Sequence, residues 1–199
     1  MNSPLFYFVR HGETDWNAER RLQGQLDLPL NDAGRRQSAQ CGCTLRGLIA
    51  ARRKAPAEFA FVSSPLSRAR ETMEILRGVL GLPCEGYAVE PRLAELSFGR
   101  WEGLTYPEVR ALDSAALAVR ELDRWNFVTP EGESYAQLLV RVREWRAGAA
   151  GDIIVAAHGG VARALMVLFG VRTPEEAPQG DVPQGVVYEF GPGVMKLHG

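Results

Sequence analysis

Short apolar runs alternate with longer stretches of helical periodicity along this chain, and that alternation limits its fold more than any other feature. Leu5–Val9, Phe59–Val62 and Asp152–Ala157 are too short for buried helices and read as buried strands. Between them lie helix-entry signals. Asn31 and Asp32 open a stretch running toward Ala50. Ser63-Ser64-Pro65 sets a serine cap ahead of a proline, which predicts a helix over Leu66–Leu80 that stops at Gly81. Ser134-x-x-Gln137 is a capping box, and Tyr135, Leu138, Leu139, Val142 and Trp145 follow at helical spacing. His158-Gly159-Gly160 opens a further helix through Leu168. Weaker strands are expected near Tyr87–Val89, Val186–Phe190 and Val194–Leu197, with a loop over Pro174–Gly185. Strands separated by helices imply right-handed crossovers, hence an α/β chain: a three-layer α/β/α sandwich around a mostly parallel sheet. The chain reads as one domain over 1–199, with residues from about 104 to 130 expected as a small helical cap.

Charge and composition exclude several classes of function. The 23 basic and 24 acidic side chains leave a net charge of −1, without the basic footprint of a nucleic-acid binder. No apolar run approaches the ~18 residues of a membrane helix. Leu5–Val9 is too short for a signal-peptide core, and the three cysteines (Cys41, Cys43, Cys84) cannot all pair within the chain. A cytoplasmic protein is therefore expected. Cys41 and Cys43 point about 200° apart on a helix, which argues against a metal or redox pair. Arg52-Arg53-Lys54 reads as a solvated helix end.

The candidate chemistry starts from two histidines in matching contexts. His11 follows Phe8-Val9-Arg10 and precedes Gly12; His158 follows Val155-Ala156-Ala157 and precedes Gly159. Ligands in open α/β sheets bind beyond the carboxyl ends of strands, so two such strands lying side by side would bring both imidazoles into one crevice. Two histidines alone also suit a metal. The neighbours do not: Arg10 adjoins the first, and Arg68 follows the Ser-Ser-Pro entry just past another strand end. A cation site repels guanidinium groups, whereas a phosphoryl dianion draws them, and arginine's planar fork matches its oxygens. With 21 arginines to 2 lysines, these two inform by position rather than by type. The N–H groups at Gly159-Gly160 would add a helix N-terminus facing an anion. An acid for the leaving oxygen has three candidates, Glu13, Glu95 and Glu102, and spacing does not choose among them.

These residues resemble a known family. Phe8-Val9-Arg10-His11-Gly12-Glu13-Thr14 is similar to the Arg-His-Gly signature of the histidine phosphatase superfamily, the phosphoglycerate mutase-like proteins. Four further segments resemble its motifs in order: Trp16-Asn17 with Arg21-Leu-Gln-Gly24 and Asp27-Leu-Pro-Leu30; Ser63-Ser-Pro-Leu-Ser-Arg68-Ala69-x-x-Thr72; Glu95-x-x-Phe98-Gly99-x-Trp101-Glu102-Gly103; and His158-Gly159-Gly160. The resemblance implies that His11 is the nucleophile and forms a phosphohistidine. It implies that Arg10, Arg68 and His158 clamp the phosphoryl oxygens, assisted by Asn17 and the Gly159 amide. By the same analogy Glu95 is the acid, Gln23 and Gly24 line the entrance, and neither metal nor cofactor is needed. A neutral imidazole is already nucleophilic near pH 7 and needs no separate base.

Within the family, Phe98-Gly-Arg-Trp-Glu-Gly103 and the short chain look more like the phosphatase branch, including the α-ribazole phosphatase type, than like the mutases. The expected partner is a small phosphate ester. The alternatives are mutase-type transfer and a non-catalytic phosphate-binding module. Substrate choice is expected from Leu104–Pro130, whose Arg110, Arg120, Arg124, Trp125 and Phe127 read more plainly as solvated arginines and core aromatics.

Overall fold

The computed structural model describes residues 4–199. In chain order the elements are β1 (Phe6–Arg10), α1 (Asp15–Ala18), α2 (Asp32–Ala51), β2 (Ala60–Ser63), α3 (Ser67–Val79), β3 (Ala88–Val89), α4 (Tyr106–Leu112), α5 (Ser114–Leu122), α6 (Tyr135–Gly148), β4 (Ile153–Ala157), α7 (Gly159–Leu168), β5 (Val187–Gly191) and β6 (Val194–His198). The sheet runs β3-β2-β4-β1-β5-β6. Its first four strands are parallel; β5 and β6 join antiparallel at one edge.

Strand alternation divides the core between two faces. Phe6, Phe8, Ile153 and Val155 point to one side and pack on Leu138, Val142 and Trp145 of α6 and Val161 and Leu165 of α7. Tyr7, Val9, Ile154 and Ala156 point to the other and meet Leu45 and Ile49 of α2 and Met73 and Leu76 of α3. That is the three-layer sandwich the alternation predicts. β4 is buried at every residue, as suits a central parallel strand. Cys41 faces the core, where burial pushes its thiol up to about 12, and Cys43 is exposed. Arg52 and Arg53 at the helix end are exposed and Lys54 is half-buried, with Arg52 paired to Glu189 and Lys54 to Asp152.

The entry to α3 differs from the sequence expectation. The helix begins at Ser67, with Leu66 in the cap position, and neither Ser63 nor Ser64 caps it. Its first free N–H, on Ser67, instead donates to Asp27 Oδ1 at 2.7 Å, a cap delivered from a distant loop. The α4–α5 stretch builds a separate small cluster in which Val109 and Leu117 bury with Leu22 and Trp101. Phe127 stacks on Trp101 and Trp125 on Tyr135, so these aromatics are core. Arg120 departs from the solvated reading: it is buried, with its guanidinium over the Tyr106 ring. No helix among the described residues is long and apolar enough to cross a membrane.

Candidate active site

β1 and β4 are parallel neighbours in register, with Arg10 opposite Ala157, so the residues that leave their carboxyl ends leave together. The His11 and His158 rings lie 5.1 Å apart, centroid to centroid. Beside them opens a pocket of about 410 Å³ lined by Arg10, His11, Asn17, Gln23, Gly24, Arg68, Glu95 and Gly159 among others. His158 is fully buried behind that lining.

The hydrogen bonds fix the state of His11. Its Nδ1 lies 2.8 Å from the Gly12 carbonyl, which can only accept, so Nδ1 carries the proton and Nε2 keeps the lone pair. Burial holds this imidazole well below its usual range, and the guanidinium groups of Arg68 and Arg10 push the same way. His158 is held low by burial, then by Arg68 and His11. Its Nε2 meets Ser64 Oγ at 2.6 Å, and its buried Nδ1 has no partner. Ser64 Oγ also accepts from the N–H of Leu66 at 3.3 Å, so one hydroxyl ties His158 to the entry of α3.

The arginines brace the loops that wall the pocket. Arg68, fully buried, donates to the carbonyls of Gly24 (2.7 Å) and Leu26 (2.8 Å). Arg10 donates to the Val182 carbonyl at 2.6 Å. Each keeps a buried Nε–H without an acceptor. Two such donors beside a neutral imidazole form a preorganised anion cradle. Gln184 closes the near side by donating to the His11 carbonyl (2.9 Å) and to Asn17 Oδ1 (3.1 Å).

Geometry separates the three glutamates. Glu95 alone lines the pocket. Its carboxylate accepts from the N–H of Leu96 (2.8 Å) and of Gly160 (3.0 Å), in the first turn of α7. A Cβ at Gly160 would collide with Glu95 Oε1, so only glycine admits this approach. Arg141 holds the segment in place: it donates to the carbonyls of Arg92, Ala94 and Glu95 while pairing with Glu133. Glu102 instead accepts from the N–H groups of Gln25 and Phe98 and fills the space above Gly24, whose φ is +52°. Glu13 accepts from Asn31.

Sequence reasoning missed part of the lining. Arg163 enters because it lies one helical turn beyond Gly159, a spacing that could have been read. Tyr135 and the 181–184 loop also enter, and for that loop no sequence signal exists. None of the described residues from 104 to 130 lines the pocket; that segment backs the lining through Trp125 behind Tyr135, through the cluster under Leu22 and Phe98, through the Leu22 N–H donating to the Leu104 carbonyl and through Glu108 paired with Arg21. Among the described residues no cluster of three or more His, Cys, Asp or Glu side chains is placed to hold a metal ion.

The sequence model of the histidine phosphatase superfamily (branch 1) matches residues 6–193. This chain belongs to that superfamily. Two of its relatives carry different names. The probable phosphoglycerate mutase GpmB of Photorhabdus laumondii is 38% identical over 146 residues, 69% of this chain and 59% of that protein. The glucosyl-3-phosphoglycerate phosphatase of Mycolicibacterium vanbaalenii is 36% identical over 172 residues, 79% of this chain and 70% of that protein. This chain thus spans less than two thirds of the GpmB relative's length. Among solved structures, a mycobacterial glucosyl-3-phosphoglycerate phosphatase in complex with VO3 aligns with a TM-score of 0.78 at 27% identity, covering 98% of this chain and 97% of its own. An Escherichia coli structure at TM-score 0.80 and 22% identity, covering 99% and 95%, shares the fold.

Proposed function

We propose that this chain is a phosphomonoesterase that hydrolyses a small phosphorylated metabolite through a phosphohistidine at His11. One observation carries the reading: His11 is held neutral with its Nδ1 proton on the Gly12 carbonyl, which leaves Nε2 as a nucleophile at an arginine-lined pocket. The unpartnered Nε–H groups of Arg10 and Arg68 then meet the phosphoryl oxygens, with the Gly159 amide and Asn17 assisting; His158, behind the lining, adds a third donor when the Ser64 hydroxyl donates to its Nε2 and leaves the ring proton on Nδ1. In the first step Nε2 forms a bond to phosphorus, the ester P–O bond breaks, and the leaving oxygen takes a proton from Glu95. In the second, the Glu95 carboxylate takes a proton from water, the oxygen of that water bonds to phosphorus, and His11 leaves. Catalysis here is positioning plus fixed charge, and it calls on no metal or cofactor. The similar mycobacterial phosphatase is solved in complex with VO3, an oxyanion, which supports an oxyanion ligand for this chain.

A second reading, phosphoglycerate mutase-type transfer, is favoured by the GpmB relative. The two separate on incubation with 3-phosphoglycerate: phosphate release supports hydrolysis, and isomer exchange without free phosphate supports the mutase. A panel of phosphorylated metabolites assayed for released phosphate tests the main proposal, with α-ribazole phosphate among them. An acid-labile, base-stable phosphoenzyme must appear in the wild type and vanish in His11→Ala. Turnover surviving in that variant rejects the nucleophile assignment, and activity lost to chelators and restored by a divalent ion rejects the metal-free chemistry.

A further inference from the structure

We propose that Arg163 is a specificity-determining residue that selects phosphate monoesters whose leaving group carries a second acidic group. The inference rests on the phosphatase reading above and adds the substrate class. Arg163 lines the same pocket, and its Nη groups donate to the carbonyls of Gly159 (3.3 Å) and Gly180 (2.9 Å). Its Nε–H is buried without an acceptor. No carboxylate among the described residues lies within salt-bridge distance of it. Arg21, the other arginine at the rim, differs: it is already paired with Glu19 at 2.7 Å and Glu108 at 3.0 Å.

Charge balance points the same way. Arg163 and Arg10 crowd one point: a Cβ placed on Gly159 would lie 3.3 Å from Arg163 Nη1 and 3.7 Å from Arg10 Nε. Arg10 and Arg68 together match a phosphoryl dianion. Arg163 is a further guanidinium in the lining, and of the two carboxylates there Glu95 is turned to the N–H groups of Leu96 and Gly160, while neither Glu95 nor Asp181 pairs with Arg163. An unpaired charge in a half-buried site is costly, and an acidic group on the substrate removes the cost. The group can be a carboxylate or a second phosphate, since the guanidinium fork accepts either.

Two matched pairs of ligands test this: 3-phosphoglycerate against glycerol 3-phosphate, and fructose 1,6-bisphosphate against fructose 6-phosphate. For each, kcat/KM and calorimetric Kd are measured with the wild type, Arg163→Met, Arg163→Lys and Arg172→Ala, with inorganic phosphate as the reference ligand. The Arg172 variant loosens the same loop, because Arg172 donates to the Gln179 carbonyl at 2.9 Å, yet it leaves the pocket's charge untouched. The wild type should favour the doubly acidic member of at least one pair by about tenfold or more, as expected for charge-assisted hydrogen bonds. The Met variant should erase that preference while its affinity for inorganic phosphate stays within about threefold, the Lys variant should keep part of it, and Arg172→Ala should keep it whole. No preference in either pair overturns the proposal. So does an equal loss on both members and on phosphate, or loss of the preference in Arg172→Ala. If no ester is hydrolysed, the phosphatase reading fails by itself, and the ratio of dissociation constants still decides the role of Arg163.

Discussion

Lowering the pH should destabilise this protein well above the range where its carboxylates titrate, because both site histidines are buried and held neutral. Burial, with Arg68 and Arg10 nearby, lowers the affinity of His11 and His158 for protons in the folded chain. In the unfolded chain each returns to a pKa of about 6.5. Below that value the unfolded state binds protons that the folded state refuses, so stability is complete above about pH 6.5 and falls as the pH drops toward the folded-state values. At about pH 5.5 each histidine still neutral in the folded state removes about 1.4 kcal/mol, and the two together about 2.8 kcal/mol. That is a large share of the roughly 5–15 kcal/mol that holds a domain together. The carboxylates held low by hydrogen bonds and ion pairs, such as Glu90 and Asp152, remain ionised across this window in both states. Denaturant unfolding at about pH 7.5 and about pH 5.5, in phosphate-free buffer, measures the loss directly. His158→Gln should lose roughly half of the pH dependence, whatever its absolute stability. A wild type whose stability is flat or rises on acidification, or a variant with the full dependence, would refute the neutral, buried pair.

Other outcomes follow from the same geometry. Glu95→Gln should lower kcat on an alkyl phosphate by about 10²–10⁴-fold and far less on p-nitrophenyl phosphate, whose leaving oxygen needs no proton; steady-state rates on the two esters compare them. Ser64→Ala strands His158 without any hydrogen bond and should cost about 1–3 kcal/mol by denaturant titration. Inorganic phosphate at about 100 times its Kd should stabilise the wild type by about 2.7 kcal/mol, read as a rise in Tm, and Arg68→Met should remove that rise. Arg141→Met frees three carbonyls on the Glu95 segment, so kcat should fall while the Kd for phosphate holds, a split that calorimetry and kinetics together detect.

Much of this protein is determined locally. The β1 and β4 runs, the capping box at Ser134 and the glycines after each histidine are short-range signals, and they suffice for a layered α/β fold with both imidazoles at strand ends. Arg10, His11, Arg68 and His158 could be picked out because each lies at or just beyond a strand end. Tertiary structure decided the rest, because those outcomes depend on which distant segments approach. Ser64 looks like the helix cap, yet Asp27 arrives to take the first free N–H of α3, and the Ser64 hydroxyl, while it accepts from Leu66, also meets His158. Glu95, Glu102 and Glu13 are equivalent as letters; only the meeting of the 92–95 segment with the first turn of α7 puts one of them in the pocket. The 181–184 wall is held by the Arg10 contact to the Val182 carbonyl and by Gln184 reaching the carbonyl of His11, contacts that span most of the chain and that no local pattern encodes.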